Sequence, residues 1–562
     1  MITLRRSEHT LSTRNNNRIH CLVLFVFLLS IGIIYGSTLA VNHSEAEDSL
    51  NYLTITQDGS VIDLFFPHHL LFHVFNRETY LLWSLFGFNG SPEIPMEMNN
   101  IVAGLAGLGL IYALARRIGL SFQLSLVCMV AVASSYGYWW YSVEAETYLL
   151  PIPFILLSAY QFITIAESHF ESKRFVGLGL TLALATLFHQ QHVLLVLIML
   201  ISIFIVWWRL RPNVAFLTMV RGVVIMLVVA SVFIIVPYLL AATMVHGYRD
   251  LSSIIDWTRS YQKIGMYTPL TLSSPIKALV GIGRSAWGIH PIFKFSWFQD
   301  FFARAFPTKL LVEEQFLANH MSIYQVWVSL FTFGLSVLIA IGLIARLTFR
   351  SSNTTQGTQP LDAKNAFIAL VVPLLIGYTV FNTLWEPQNI EFWIAPLPFL
   401  FLALTAWIVR PQWDLTGRVL TWIFVASLAI CNLVGSVMPQ TNHSGDFWYE
   451  ANVYLIENAR VGDLVVIEGG YIPMYYLKFY CKATVFSAAG IDPGVLLSKI
   501  YDHKSGRVLI SSRVFDPLPQ IRYQVERTVG VLPDRQLLAE LEDRLQVVST
   551  NFYQTIWIYQ FR

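Results

Sequence analysis

HLLFHVFNRETYLLWSLFGF, residues 69–88, is the stretch on which the fold turns. It is apolar and aromatic and about as long as a membrane span, yet Arg77 and Glu78 lie near its middle. Ionisable side chains at bilayer depth are costly. If this stretch crosses the membrane, every later loop changes side. If it lies flat as an amphipathic interfacial helix, the later loops keep the sides their charges favour.

The surrounding chain supports the flat reading. Apolar runs of spanning length fall near 21–41, 98–116, 120–140, 146–166, 174–189, 191–208, 222–244, 322–345, 366–385, 392–409 and 418–438. With the N-terminal arm 1–20 in the cytoplasm and 69–88 not counted, alternation puts a basic cluster at each inner end. These are Arg116 and Arg117, Lys173 and Arg174, Arg209 with Arg211 and Arg221, Arg346 with Arg350 and Lys364, and Arg410 with Arg418. The opposite short loops hold Glu144 and Glu146, then Gln190 and Gln191, then Glu386 and Glu391, with no Lys or Arg. That asymmetry is the signature of orientation. The run from Cys21 to Val41 is too long for a signal-peptide core and reads as an uncleaved anchor.

Composition agrees. Of the 562 residues 55% are hydrophobic and 13% charged, where a soluble chain carries about 25% charged residues. Mean hydropathy is +0.55. The net charge of +2 gives no bulk field for nucleic acid. Four cysteines form no disulfide framework and no zinc spacing. The expectation is an all-α polytopic membrane protein of about eleven spans over 21–439, with outer loops 42–97 and 245–321. A small extracytoplasmic α/β domain follows over 440–562. Its expected strands are 463–468, 483–487, 507–511, 546–549 and 555–560, and its expected helices are 447–459, 471–480 and 533–544.

Three groups of residues suit chemistry. Asn42-His-Ser-Glu-Ala-Glu-Asp48 follows the first run and carries Glu45, Glu47 and Asp48. A carboxylate there suits a general base, and crowded carboxylates share protons or a metal; a hydrated acidic collar is the plainer alternative. Glu144, Glu146 and Tyr148 stand beside Trp139, Trp140 and Tyr141. That is either an interfacial aromatic belt or a sugar site of rings and carboxylates, with Asn389 and Glu391 forming a second such cluster. His189 and His192 would share a face on a continuous helix, facing a phosphate or a divalent metal, or simply joining two spans.

The carboxylate motif after the first span, followed by an aromatic interfacial helix, resembles the GT-C glycosyltransferases, closest to their protein O-mannosyltransferase-like branch. Phe66-Pro-His68-His69 stands where that branch has a His-Pro element, in altered order. Ser134-Ser-Tyr-Gly-Tyr-Trp-Trp-Tyr-Ser-Val-Glu-Ala-Glu146-Thr-Tyr148 is similar to its third-span exit, and Gly177 to His189 to its fifth span. The likeness runs over about residues 20–210.

The resemblance implies an integral-membrane enzyme, in a bacterial plasma membrane or the ER. It would move a sugar, a hexose such as mannose, from a polyprenyl-phosphate carrier to a protein, glycan or lipid hydroxyl on the extracytoplasmic side by one inverting displacement. Asp48, or else Glu47, would be the base. Glu144, Glu146, Tyr148, Asn389, Glu391 and His68 would hold substrate, and His189, His192 and Arg77 would face the donor phosphate. No cofactor is required; a divalent metal is left open. The rivals are a lipid-linked oligosaccharide ligase and a transporter, the latter expected to show inverted repeats and broken helices.

Overall fold

The structure, a computed structural model, describes residues 2–46, 48–260, 269–305, 312–349, 363–518 and 539–561. Glu47 lies outside the described residues. The chain sorts into two compact units. One comprises Met1–Leu39, Gly59–Ile289 and Trp327–Met438, and the other Ala40–Asp58, His290–Val326 and Pro439–Arg562.

The first unit is helical. Among the described residues, seven helices are long and apolar enough to cross a membrane: Arg18–Gly36, Glu93–Arg117, Gln190–Leu210, Phe216–Val245, Ile323–Arg346, Ala363–Leu384 and Leu415–Gln440. Four shorter apolar helices are Phe122–Ala133, Ile152–Glu167, Arg174–Phe188 and Leu397–Gln412. Each of the eleven apolar runs overlaps one of these. Small residues let the helices approach, as membrane packing favours. A Cβ on Gly179 would stand 2.7 Å from the Met226 carbonyl oxygen, and one on Gly222 would enter the Phe175 ring at 2.4 Å.

Residues 69–88 resolve into a short turn, Pro67–His69, and a helix, Phe72–Leu85. Fourteen residues rise only about 21 Å, short of the ~30 Å hydrocarbon core. Phe72, His73 and Asn76 are buried, while Phe75, Leu81, Leu82, Leu85 and Phe86 are exposed. His73 and Asn76 face inward while large apolar side chains face outward, unlike a soluble helix, which suits a lipid-facing surface.

The shorter helices have a reason. The run 120–140 breaks at Ser134 and Ser135 into Phe122–Ala133 and Tyr136–Ser142. Residues 143–151 are not helical, and the next helix starts only at Ile152, after Pro151. His189 is extended (φ −154°, ψ 115°), so Arg174–Phe188 ends there. Residues 385–396 form a third interruption, with one short turn at Glu391–Trp393.

The second unit holds a five-stranded sheet: β1 Leu464–Ile467, β2 Thr484–Ser487, β3 Val508–Ser511, β4 Leu545–Thr550 and β5 Thr555–Tyr559. The order is β2-β1-β3-β5-β4. β1 pairs in parallel with β2 and β3, and β5 runs antiparallel to β3 and β4. All four residues of β1 and of β3 are buried, as strands covered on both faces require. Helix Pro493–Tyr501 supplies Leu496 and Ile500 to one face. Helices Phe447–Asn458 and Tyr471–Tyr480 supply Leu455 and Leu477 to the other. The strands lie on the five segments expected from the sequence. Helix Pro493–Tyr501 was not expected, and most of the expected helix 533–544 lies outside the described residues.

This unit also takes up the first acidic loop. Val41 and Asn42 donate backbone N–H bonds to the Gln440 carbonyl, both 3.0 Å. Asn42 Oδ1 accepts from Ser44 N and Oγ at 2.9 and 2.6 Å. Glu45 is paired with buried His290 at 2.9 Å, which accounts for one of the three clustered carboxylates. Asp48 opens helix Asp48–Asp58, which packs on helix Tyr471–Tyr480.

Candidate active site

Interrupted helices expose backbone N–H and C=O groups that lipid cannot satisfy, so such backbone persists only where protein re-bonds it. Here three buried asparagines do so. Asn100 Nδ2 donates to the carbonyls of Glu144 and Glu146 at 2.6 and 2.7 Å. Asn432 Nδ2 donates to the carbonyls of Ser134 and Ala286 at 2.7 and 2.8 Å, and its Oδ1 accepts from Gly288 N at 3.0 Å. Asn382 Nδ2 donates to the Phe392 carbonyl at 2.9 Å. These residues were not singled out from the sequence. Their signal was available: each is an amide inside an apolar span, a placement that marks interior contacts.

The braced segments carry Glu144, Glu146, Tyr148, Asn389 and Glu391. Every residue from 131 to 152 is buried. Trp139 and Trp140 are therefore core side chains and not an interfacial belt, and Trp139 Nε1 donates to Thr38 Oγ1 at 3.0 Å. The carboxylates of Glu144 and Glu146 fold back on their own loop, accepting from Ala145 N at 2.9 Å and Thr147 N at 3.1 Å.

Glu391 is the meeting point. Its Oε2 accepts from the Tyr148 hydroxyl at 2.8 Å and from Asn389 Nδ2 at 2.9 Å, and its Oε1 from the Tyr141 hydroxyl at 3.2 Å. Asn389 also donates to Glu386 at 3.1 Å. The loops at 143–151 and 385–396, far apart in sequence, thus close on one carboxylate. Tyr148 then passes the cluster on: its ring centroid is 5.1 Å from that of His189.

Around His189 stand His68, His69 and His192, with ring centroids at 5.2, 4.7 and 5.5 Å. His189 and His192 do not share a continuous helix, because the backbone breaks at His189; they come together across the break. His192 Nδ1 lies 2.8 Å from the Tyr378 hydroxyl. His68 Nδ1 lies 3.3 Å from Gln190 Oε1. His69, the member that sequence reading did not place in the site, is buried between them. Burial holds His68 down to about 4 against a raising bond from Gln190. Burial, then the neighbouring His68, holds His69 well below its ordinary value. Both rings are neutral near pH 7, each with one lone pair and one N–H. Arg77 is half-buried on helix Phe72–Leu85, one turn beyond His73. Asp48, half-buried at the head of its helix, belongs to the second unit.

The family model for dolichyl-phosphate-mannose-protein mannosyltransferase matches residues 78–236. ArnT from Cupriavidus metallidurans, solved with undecaprenyl phosphate, aligns over 96% of this chain and 97% of its own, with TM-score 0.53 and 10% identity. The Archaeoglobus fulgidus oligosaccharyltransferase, solved with zinc and sulfate, aligns over 95% of this chain and 73% of its own, with TM-score 0.47 and 11% identity. The Saccharomyces cerevisiae protein O-mannosyltransferase Pmt1–Pmt2 complex, bound to its sugar donor, aligns over 42% and 34%, with TM-score 0.31 and 17% identity. No curated protein matches the sequence. Over residues 78–236 the sequence thus matches the mannosyltransferase family model, and along its length the chain shares the fold of ArnT.

Proposed function

We propose that this protein transfers a sugar from a polyprenyl-phosphate carrier to a hydroxyl acceptor at the extracytoplasmic face of its membrane. The observation that carries the reading is the Tyr148–Glu391–Asn389 cluster abutting the histidines. Aromatic rings and a carboxylate suit sugar hydroxyls, which donate to carboxylate oxygens. Neutral imidazole N–H groups suit phosphate oxygens. The family model and the fold both point to lipid-linked donors. Interrupted helices, expected of the rival transporter, are present here; their braces hold the sugar-binding cluster together.

In the proposed reaction the bond from the sugar's anomeric carbon to the carrier phosphate oxygen breaks. The acceptor oxygen bonds to that carbon from the opposite side. Asp48 takes the acceptor proton, and the electron pair leaves with the polyprenyl phosphate. The hexose is mannose-like, and the acceptor is a protein, glycan or lipid hydroxyl. The test supplies purified protein with undecaprenyl- and dolichyl-phosphate hexoses and compares Asp48→Asn with wild type. Loss of a general base lowers the rate by about 10²–10⁴-fold. Undiminished transfer by the variant removes Asp48 from the role; no transfer from any lipid-linked sugar by wild type sinks the reading.

A further inference from the structure

His68, His69 and His189 each present one ring nitrogen, and these atoms lie within 4.8 Å of one another. The first two come from the turn Pro67–His69, the third from the break after helix Arg174–Phe188. His189 is 1% exposed, and its Nε2 has no hydrogen-bond partner among the described residues. A buried polar atom left in that state is destabilising, so something else ordinarily meets it.

We propose that His68, His69 and His189 bind a zinc ion as a three-imidazole site with an open coordination position. Three points support it. First, two of the rings are oriented by neighbours: Gln190 Oε1 accepts from His68 Nδ1–H at 3.3 Å, and His69 is hydrogen-bonded to the Phe188 backbone. Such partners orient ligating imidazoles. Second, imidazoles without a thiolate suit zinc, and three protein ligands with a vacant fourth position is the catalytic pattern. Third, the distances are near what zinc needs. Tetrahedral bonds of 2.0–2.1 Å place ligand nitrogens about 3.3 Å apart, so small side-chain rotations close the site.

One contact opposes it. Gln191 N donates to His189 Nδ1 at 3.4 Å, and coordination through Nε2 moves the ring proton to Nδ1 and gives up that bond. A long neutral hydrogen bond contributes little net stability, far less than zinc coordination yields. The metal wins. His192 is held by Tyr378 and stands beside the site as a neighbour. The open position would take an oxygen, which under the proposed function is the carrier phosphate's. That last role rests on the proposed function; the metal site does not.

The experiment uses the full-length protein in detergent. It is stripped with chelator, dialysed against zinc, and its metal counted by mass spectrometry; a parallel sample is titrated with Co²⁺ and its visible d–d absorption recorded. We expect stoichiometric uptake, lost in His69→Ala and in the gentler His69→Gln, and retained in His192→Ala. Thermal melts confirm that each variant is folded. No stoichiometric uptake by wild type, or equal uptake by a folded His69→Gln, overturns the site. Transfer by chelated protein that takes up no metal rejects the zinc while the glycosyltransferase reading stands. Uptake without any transfer supports the zinc and rejects the other.

Discussion

Replacing Asn100 by leucine removes the amide that holds the 143–151 loop to its helix. Two short hydrogen bonds disappear, to the carbonyls of Glu144 at 2.6 Å and of Glu146 at 2.7 Å. Leucine keeps the number and branching of the side-chain heavy atoms, so no cavity opens. The Glu144 carbonyl keeps a bond from Glu146 N at 2.9 Å. A net bond is worth about 1 kcal/mol, and a buried carbonyl that loses its donor costs up to about 3 kcal/mol. The total is roughly 2–4 kcal/mol, which converts to a shift of roughly 30- to 700-fold in the balance between closed and open loop. Hydrogen–deuterium exchange reads that balance directly, because local opening sets amide protection. In detergent-purified Asn100→Leu, amides of 143–150 should exchange faster by about this factor, while those of helix Leu194–Leu210 should not. Tyr148 travels with the loop, so its grip on Glu391 should loosen as well. Exchange within about threefold of wild type, in a variant that melts normally, would refute the bracing role.

Two further outcomes follow. Gly281→Ala puts a Cβ 2.1 Å from the Pro387 carbonyl oxygen and 2.3 Å from Trp393 Nε1, two atoms that bond each other at 3.0 Å in the loop bearing Glu391. Overpacking of this kind costs about 1–3 kcal/mol; KM for a lipid-linked hexose should rise by about tenfold or more, and an unchanged KM would show that the loop does not hold donor. Asp446 caps helix Phe447–Asn458, accepting from Trp448 N, Tyr449 N and the Tyr476 hydroxyl, and burial pushes its carboxyl up to about 6. A raised folded value means that its stabilising contribution is full below the ordinary carboxylate value near 4 and is lost as pH rises through about 6, about 3 kcal/mol in all. Asp446→Asn keeps a cap acceptor without the charge, so thermal melts should show its stability relative to wild type growing from about pH 4 to about pH 7; a pH-independent difference would sink the assignment.

Much of the architecture was legible in the chain before folding. Hydrophobic runs report spans because lipid demands about twenty apolar residues. Arg77 and Glu78 within 69–88 argued against another span, and a helix of fourteen residues is what forms there. The five strands were legible because apolar runs between turns have few alternatives in a small domain. The breaks were not. At Ser134, in the 143–151 loop and after Trp385, whether a span continues depends on an amide outside the break, from Asn432, Asn100 and Asn382 respectively, that bonds the freed carbonyls.

The same division holds at the site. Sequence alone marked the acidic loops, the aromatics beside them and three of the four histidines, because charge and imidazole stand out against an apolar chain. Only the tertiary structure buried Trp139 and Trp140 in the core, paired Glu45 with His290, and joined Tyr148 to Glu391 across more than two hundred residues. It alone turned His68, His69 and His189 toward one point. The physical reason is that composition fixes which side chains cannot face lipid, whereas their partners are chosen by which helix breaks lie side by side after packing.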